Sequence, residues 1–343
     1  FPMKKTIIIL VLLTAAMIVA GAPAAIGWFV HDRLSSALAE ELPNAQVDWN
    51  RGWFRSDLRV EDEVFSARLD FRHASPASGW LSVDGLVTLA EWAAAIDLDA
   101  RIALDGTLSA NASAPRLDVA GPVTWRYASP ELALTASRRG DARLSGDADR
   151  LLIFDGIGNR LTLIEPALEL RVQSEAAGEA SGRLELTAQR AGQGESRLVV
   201  TLQSIDPAAF AELMQSMGQM AGAEPGSATA GLGVIGAASA WQQLVKAGLR
   251  LEIEQLVLDR ALSLSGHWQP QGDDFRLTGE GRRDTLLDWW SRIAGLAGQV
   301  VPERARSASR LKLQELSDRG TVRLERDRVS VDLQALPLST GSN

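Results

Sequence analysis

The chain has 343 residues, 35 of them basic and 43 acidic, a net charge of −8, and no cysteine. The acidic balance disfavours nucleic acid, which needs a basic footprint, and a polybasic contact with anionic lipid headgroups. Without cysteine there are no disulfides, zinc–thiolate or iron–sulfur sites, thiol catalysis or lipobox lipidation. Stability must come from burial, for which the length suffices.

Phe1-Pro2 precede a natural-looking start at Met3-Lys4-Lys5 and are set aside. Residues 6–30 (Thr6 to Val30) then carry no charge. At ~1.5 Å per residue such a helix reaches ~37 Å, enough for a bilayer core of ~30 Å. Two lysines before the run and acidic sequence after it place the N-terminus in the cytoplasm and the body outside. A cleaved signal peptide is the competing reading, with small-residue steps at Ala20-Gly21-Ala22 and Ala22-Pro23-Ala24. Pro23 disfavours the first step, and the apolar run continues through Ile26, Trp28, Phe29 and Val30. An uncleaved anchor is preferred, with Trp28 and Phe29 at the interface. Either reading exports the body.

The body reads as short strands. In Ile96-Asp97-Leu98-Asp99-Ala100-Arg101-Ile102 the even positions are apolar and the odd ones charged, a phase that runs on through Leu104. Successive strand side chains face opposite ways, so this predicts a half-buried antiparallel strand. Its candidate apolar face is Ile96, Leu98, Ala100, Ile102 and Leu104. The pattern recurs at 65–71, 131–137, 183–189, 197–202, 249–253, 261–268 and 329–333. Turn signals lie between, at Asp84-Gly85, Asp105-Gly106, Gly140-Asp141, Asp155-Gly156, Gly272-Asp273 and Arg319-Gly320.

Helices interrupt the strands. Asp206-Pro207 is an N-cap with proline at the first helical position, followed by a stripe of Phe210, Leu213, Met214 and Met217. Residues 221–237, rich in Ala and Gly, read as a flexible connection. A second helix is expected over Ser239 to Lys246. A third is expected from an Asp284 cap through Leu286, Trp289, Trp290, Ile293 and Leu296, continuing from Pro302 to Leu316. The expected fold is mainly β with a few packed helices (α+β): an antiparallel meander, curved open sheet or sandwich behind one transmembrane helix. The expected division is an anchor at 6–30, a first β-rich unit at 45–205, helices and linker at 206–248, and a second β-rich unit at 249–338 with a helical insertion at 284–317.

Motifs for chemistry are few. Gly231-Leu232-Gly233-Val234-Ile235-Gly236 spells the dinucleotide fingerprint, but no strand leads into it and no acidic partner follows, so nucleotide binding is not expected. His31, His73 and His267 lack partners at metal-ligand spacing, so no metal and no cofactor are expected. The pairs Asp97/Asp99 and Glu252/Glu254 lie on wet strand faces. No nucleophile elbow or Ser-x-x-Lys is found, and an enzyme is not expected. The ten tryptophans read chiefly as core.

Recognition enters at Trp49-Asn50-Arg51-Gly52-Trp53-Phe54-Arg55-Ser56. An aromatic-x-Arg-Gly-aromatic-Phe-x-Ser element shortly after an N-terminal membrane segment resembles the YdgA-like family of bacterial envelope proteins of unknown function. Trp49, Arg51, Gly52, Trp53, Phe54 and Ser56 carry that resemblance, as a structural or binding motif. It implies an inner-membrane anchor, a periplasmic β-rich body, and no catalytic residues. In architecture alone the chain is also similar to AsmA-like envelope proteins, whose curved sheets form lipid-accommodating grooves. The expected function is a non-enzymatic envelope protein, single-pass in the inner membrane, whose body binds a partner protein or an apolar, lipid-like ligand. A periplasmic hydrolase without a recognisable motif and a structural assembly factor are the alternatives.

Overall fold

The structure is a computed structural model that describes residues 45–334, apart from 52–54, 63–64, 76–78, 90–93, 120, 122, 176–178, 211, 214–215, 217–227 and 273. The expected anchor at 6–30 lies outside the described residues. No helix among the described residues is long and apolar enough to cross a membrane. The described chain is mainly antiparallel β with few helices. By their contacts its described residues form two compact units, one within 45–118, 128–146 and 208–241, the other within 119–127, 147–207 and 242–334.

The first unit is a meander of β1 (Gln46–Arg51), β2 (Arg55–Asp62), β3 (Phe65–Ser75), β4 (Gly79–Leu89), β5 (Ala94–Ile102) and β6 (Leu108–Ser113), each paired antiparallel with the next. After β7 (Arg116–Val119) and β8 (Thr124–Ala128), β9 (Glu131–Ala136) returns to pair with β6. β10 (Ala142–Asp147) follows. Period-two burial is cleanest on β2, where Ser56, Leu58 and Val60 are buried and Arg55, Asp57, Arg59 and Glu61 are exposed. Leu58, Val60, Leu69, Phe71, Val83 and Val87 anchor one apolar cluster, which Leu98, Ala100 and Ile102 of β5 complete.

Two expectations fail here. Asp84-Gly85 is not a turn but the middle of β4. A Cβ on Gly85 would stand 2.4 Å from the Arg68 carbonyl oxygen, so this glycine permits a close approach of β3 within the strand. Leu104 does not continue the apolar face: β5 ends at Ile102 and Leu104 is 59% exposed. The chain there bends into the Asp105-Gly106 turn, where Gly106 has φ of +83° and Asp105 Oδ1 accepts from the Thr107 N–H at 2.8 Å.

The second unit pairs β11 (Arg150–Phe154), β12 (Arg160–Ser174), β13 (Ala180–Arg190), β14 (Glu195–Ile205), β15 (Arg250–Leu258), β16 (Leu262–Gln269) and β17 (Asp274–Arg282) in chain order. β17 also pairs with the closing strand β19 (Arg328–Gln334), which pairs with β18 (Val322–Glu325). Because β14 pairs directly with β15, strands 150–205 belong with the C-terminal strands rather than with a first unit ending at 205.

Residues 207–210 are helical behind Asp206, as the proline signal predicts; Met214, Met217 and Met220 lie outside the described residues. Helix α1 runs Ala228–Lys246, so residues 228–237 are helix and not a flexible connection. Alanine and leucine have high helix propensity, and Ala228, Ala230, Leu232, Ala237 and Ala238 offset glycines that each cost ~1 kcal/mol. Gly236 is used for packing: a Cβ there would meet Ser216 Oγ at 2.5 Å. Residues 231–236 lie within the helix and not in a glycine turn ahead of its N-terminus, which removes the dinucleotide reading.

Helix α2 (Arg283–Gly298) begins two residues earlier than expected, with Arg282 and not Asp284 in the cap position; Asp284 sits in the first turn, favourable for the helix dipole. Gln299 adopts φ of +49° and ends α2, so α3 (Pro302–Asp318) is a separate helix started by its proline. Leu287 of α2, Leu313 and Leu316 of α3, and Leu262, Val329 and Val331 of the sheet share one cluster. Ile293, expected on the apolar stripe, is 55% exposed.

Leu58 is fully enclosed at 0% exposure. Leu58→Ala is expected to lower the unfolding free energy by about 2–5 kcal/mol in urea titration, since a buried leucine loses both transfer energy and packing.

Candidate functional site

The described residues of the family-like motif, Trp49, Arg51 and Ser56, lie on β1 and β2. Trp49 on β1 lies opposite Leu58 and stacks, tilted by 32°, on Phe71 with ring centroids 5.4 Å apart. Ser56 is buried between Arg51 of β1 and Phe71 of β3 in the strand register. Arg51 closes β1, while Gly52, Trp53 and Phe54 lie outside the described residues. Trp49 and Ser56 are therefore packing residues of the sheet. On the candidate apolar face, Leu98, Ala100 and Ile102 are buried and Ile96 is half-buried against the same cluster.

The opposite face of the first unit is a charge lattice. Asp57, Asp70, Asp84 and Asp99 stand directly opposite one another on β2, β3, β4 and β5. Arg55 bridges Asp70 with Nε–Oδ1 of 3.0 Å, and Arg72 reaches Asp84 at 3.8 Å. Partial burial and the hydrogen bond and charge of Asp99 push the Asp84 carboxyl above its usual range, with Arg72 opposing. Like charges directly opposed destabilise a sheet. Asp84→Asn is thus expected to raise stability by up to about 1 kcal/mol, discounted for solvent screening, in thermal or urea melts at neutral pH.

Glu254 of the strand pair Glu252/Glu254 accepts from Thr201 Oγ1 and Arg183, which hold its carboxyl below the usual range. His267 lies 3.4 Å from Asp274, both exposed. His31 and the side chain of His73 are outside the described residues. Among the described residues no group of three His, Asp or Glu is placed to hold a metal.

The most organised polar geometry lies in the second unit. Asp259 and Arg260 are the first two residues of the three-residue β15–β16 turn, both with positive φ, and the Asp259 side chain is 2% exposed. Its carboxylate accepts from Arg190 Nε at 3.2 Å and from Trp289 Nε1 at 2.9 Å, while its N–H donates to Ser196 Oγ at 2.9 Å. The Arg190 guanidinium also lies 5.4 Å from the Trp289 ring centroid and pairs with Asp288. Desolvation opposes the Arg190 charge, but Asp288 and Asp259 outweigh it and keep its pKa raised. Asp288 also accepts from Arg292 Nε at 3.1 Å; burial pushes its carboxyl up, and the two arginines more than reverse that.

A second clamp holds the far end of α2. Buried Asn159, between β11 and β12, donates Nδ2 to Asp155 Oδ2 at 2.6 Å and to the Val300 carbonyl at 2.8 Å. A Cβ on Gly295 would fall 2.3 Å from Asn159 Oδ1, so only glycine lets the helix approach. Arg292 Nη1 donates to the Arg160 carbonyl at 2.8 Å.

These clamps face a cleft of about 730 Å³, lined by Arg160, Arg190, Arg282, Arg292, Arg306 and Arg310 with Asp284 and Asp288. None of these arginines stands out in sequence. The available signals were helical spacing, with Asp284, Asp288 and Arg292 four apart on α2 and Arg306 and Arg310 four apart on α3. Since the Asp288 carboxyl is held below its ordinary value, it stabilises the fold above the unfolded pKa of about 3.9, and that contribution is lost as pH falls through the folded value. Asp288→Asn is therefore expected to flatten the acid limb of the melting temperature against pH; an unchanged acid limb would contradict this.

No family model, no curated protein and no solved structure matches the chain.

Proposed function

We propose that the chain is a non-enzymatic protein of the bacterial cell envelope, held in the inner membrane by residues 6–30, with a periplasmic β-rich body that binds an apolar, lipid-like ligand. The address rests on the uncharged run behind Lys4-Lys5 and the acidic body after it. The observation that carries the binding reading is the one-sided apolar layer of β2 to β5. Among the described residues, and apart from Ala45, the hydrophobic residues packed on its buried cluster come from β1 to β6, the same run of paired strands. A sandwich core draws residues from two facing sheets; the described residues of this cluster belong to one.

The face is excluded from water here, so an apolar ligand reaches it by exchange for what closes it. Full-length protein in mild detergent, photolysed with a diazirine-bearing fatty acid and mapped by peptide mass spectrometry, tests this without relying on a folding-sensitive variant. Adducts are expected on peptides of β2 to β5, such as the one holding Leu98. Labelling that never exceeds the level on the charged outer face would overturn the apolar-ligand reading and favour a partner protein. Carbonate extraction tests the address separately: the protein is expected to remain with inner membranes.

A further inference from the structure

The second unit carries an inference that does not rest on the apolar face of the first. Its cleft gathers six arginines against two aspartates, in a chain whose net charge is −8. Topology brings them together: Arg160 opens β12, Arg190 ends β13, Arg282 ends β17, Arg292 lies on α2, and Arg306 and Arg310 share a face of α3. Asp288 is taken up by Arg190 and Arg292. Arg160, Arg282, Arg306 and Arg310 make no ion pair among the described residues.

Four unneutralised guanidinium groups around one cavity repel each other, and the field they focus is lowered by a bound anion. Arg190 is 9% exposed and locked by Asp259, and Arg292 is held on the Arg160 carbonyl, so these two are fixed at the cleft while the other four side chains are exposed to a ligand. Guanidinium forks match phosphate oxygens two at a time, and a volume of about 730 Å³ lies in the range of small-ligand sites. The lining is mostly polar, with Leu161 and Ala191 as its aliphatic members, so a charged group and not an acyl chain fits inside.

We propose that this cleft is an anion site for a phosphate-bearing ligand, reached either as a free solute or as the headgroup of an anionic lipid. Arg306 and Arg310 are exposed on α3 and stand outside the buried clamps, so Arg306→Ala/Arg310→Ala tests binding while leaving the fold in place. Arg160→Ala, from a different element, is the second variant should the first melt early.

The probes are inorganic pyrophosphate, short-chain dihexanoyl phosphatidylglycerol below its micelle concentration, and dihexanoyl phosphatidylcholine as the zwitterionic control. Binding to the full chain in detergent is read by calorimetry and by the rise in melting temperature. One of the two anions is expected to bind, more weakly as sodium chloride rises, with an affinity loss of about tenfold or more in the arginine variants. Pyrophosphate binding without the anionic lipid identifies a soluble phosphate, and the reverse identifies a headgroup. No binding of either anion, or binding that the arginine variants leave unchanged, overturns the proposal. The photolabelling of β2 to β5 can fail or succeed independently of this result.

Discussion

The buried carboxylate of Asp259 is the interaction on which the second unit turns. A carboxylate withdrawn from water costs several kcal/mol unless its oxygens are bonded and its charge met. Here Arg190 supplies the charge, Trp289 a neutral donor, and Ser196 ties down the backbone of the same turn. Those partners come from β13, β14 and α2, so one residue in a tight turn joins two hairpins to a helix. Strand pairing alone would leave α2 free to slide along the sheet. The Asp259 contacts at one end and Asn159 at the other fix its position and rotation, and with them which way Asp288 and Arg292 point.

With no disulfide available, the first unit relies on one-sided burial instead. Its dry face is continuous from Leu58 to Ile102, while its wet face opposes aspartate to aspartate across four strands. That row is tolerated because Arg55 and Arg72 interleave with it and solvent screens the rest. The contrast between units is one of local charge. Acidic excess lies openly on the first, and a basic cleft is lined by elements of the second.

Much of the β architecture was legible. Alternation at 96–102 marked β5, and Asp105-Gly106 and Arg319-Gly320 marked turns, because a half-buried strand and a positive-φ glycine leave local signatures. Where local chemistry serves two ends, the reading failed. Asp84-Gly85 has turn composition but supplies a close strand contact, and 228–237 has linker composition but folds as helix beneath Ser216. Leu104 kept the phase of β5 after the strand had ended. The arginine cleft was out of reach of any window of sequence, since its members are separated by up to 150 positions and converge only through the β12–β13 and β17–α2–α3 connections. Net charge, an average over the chain, concealed it and argued against anionic ligands that the local field favours.

The claim that Asp259 couples the β15–β16 turn to α2 is open to a direct energetic measurement. A double-mutant cycle between Asp259→Asn and Trp289→Phe, read by urea unfolding, isolates their interaction from the cost of each change. The two sites share a hydrogen bond and the Arg190 guanidinium, so the account predicts destabilisations that fall short of additive by about 1 kcal/mol or more. Additivity within about 0.5 kcal/mol would mean that turn and helix are held independently, and would contradict it.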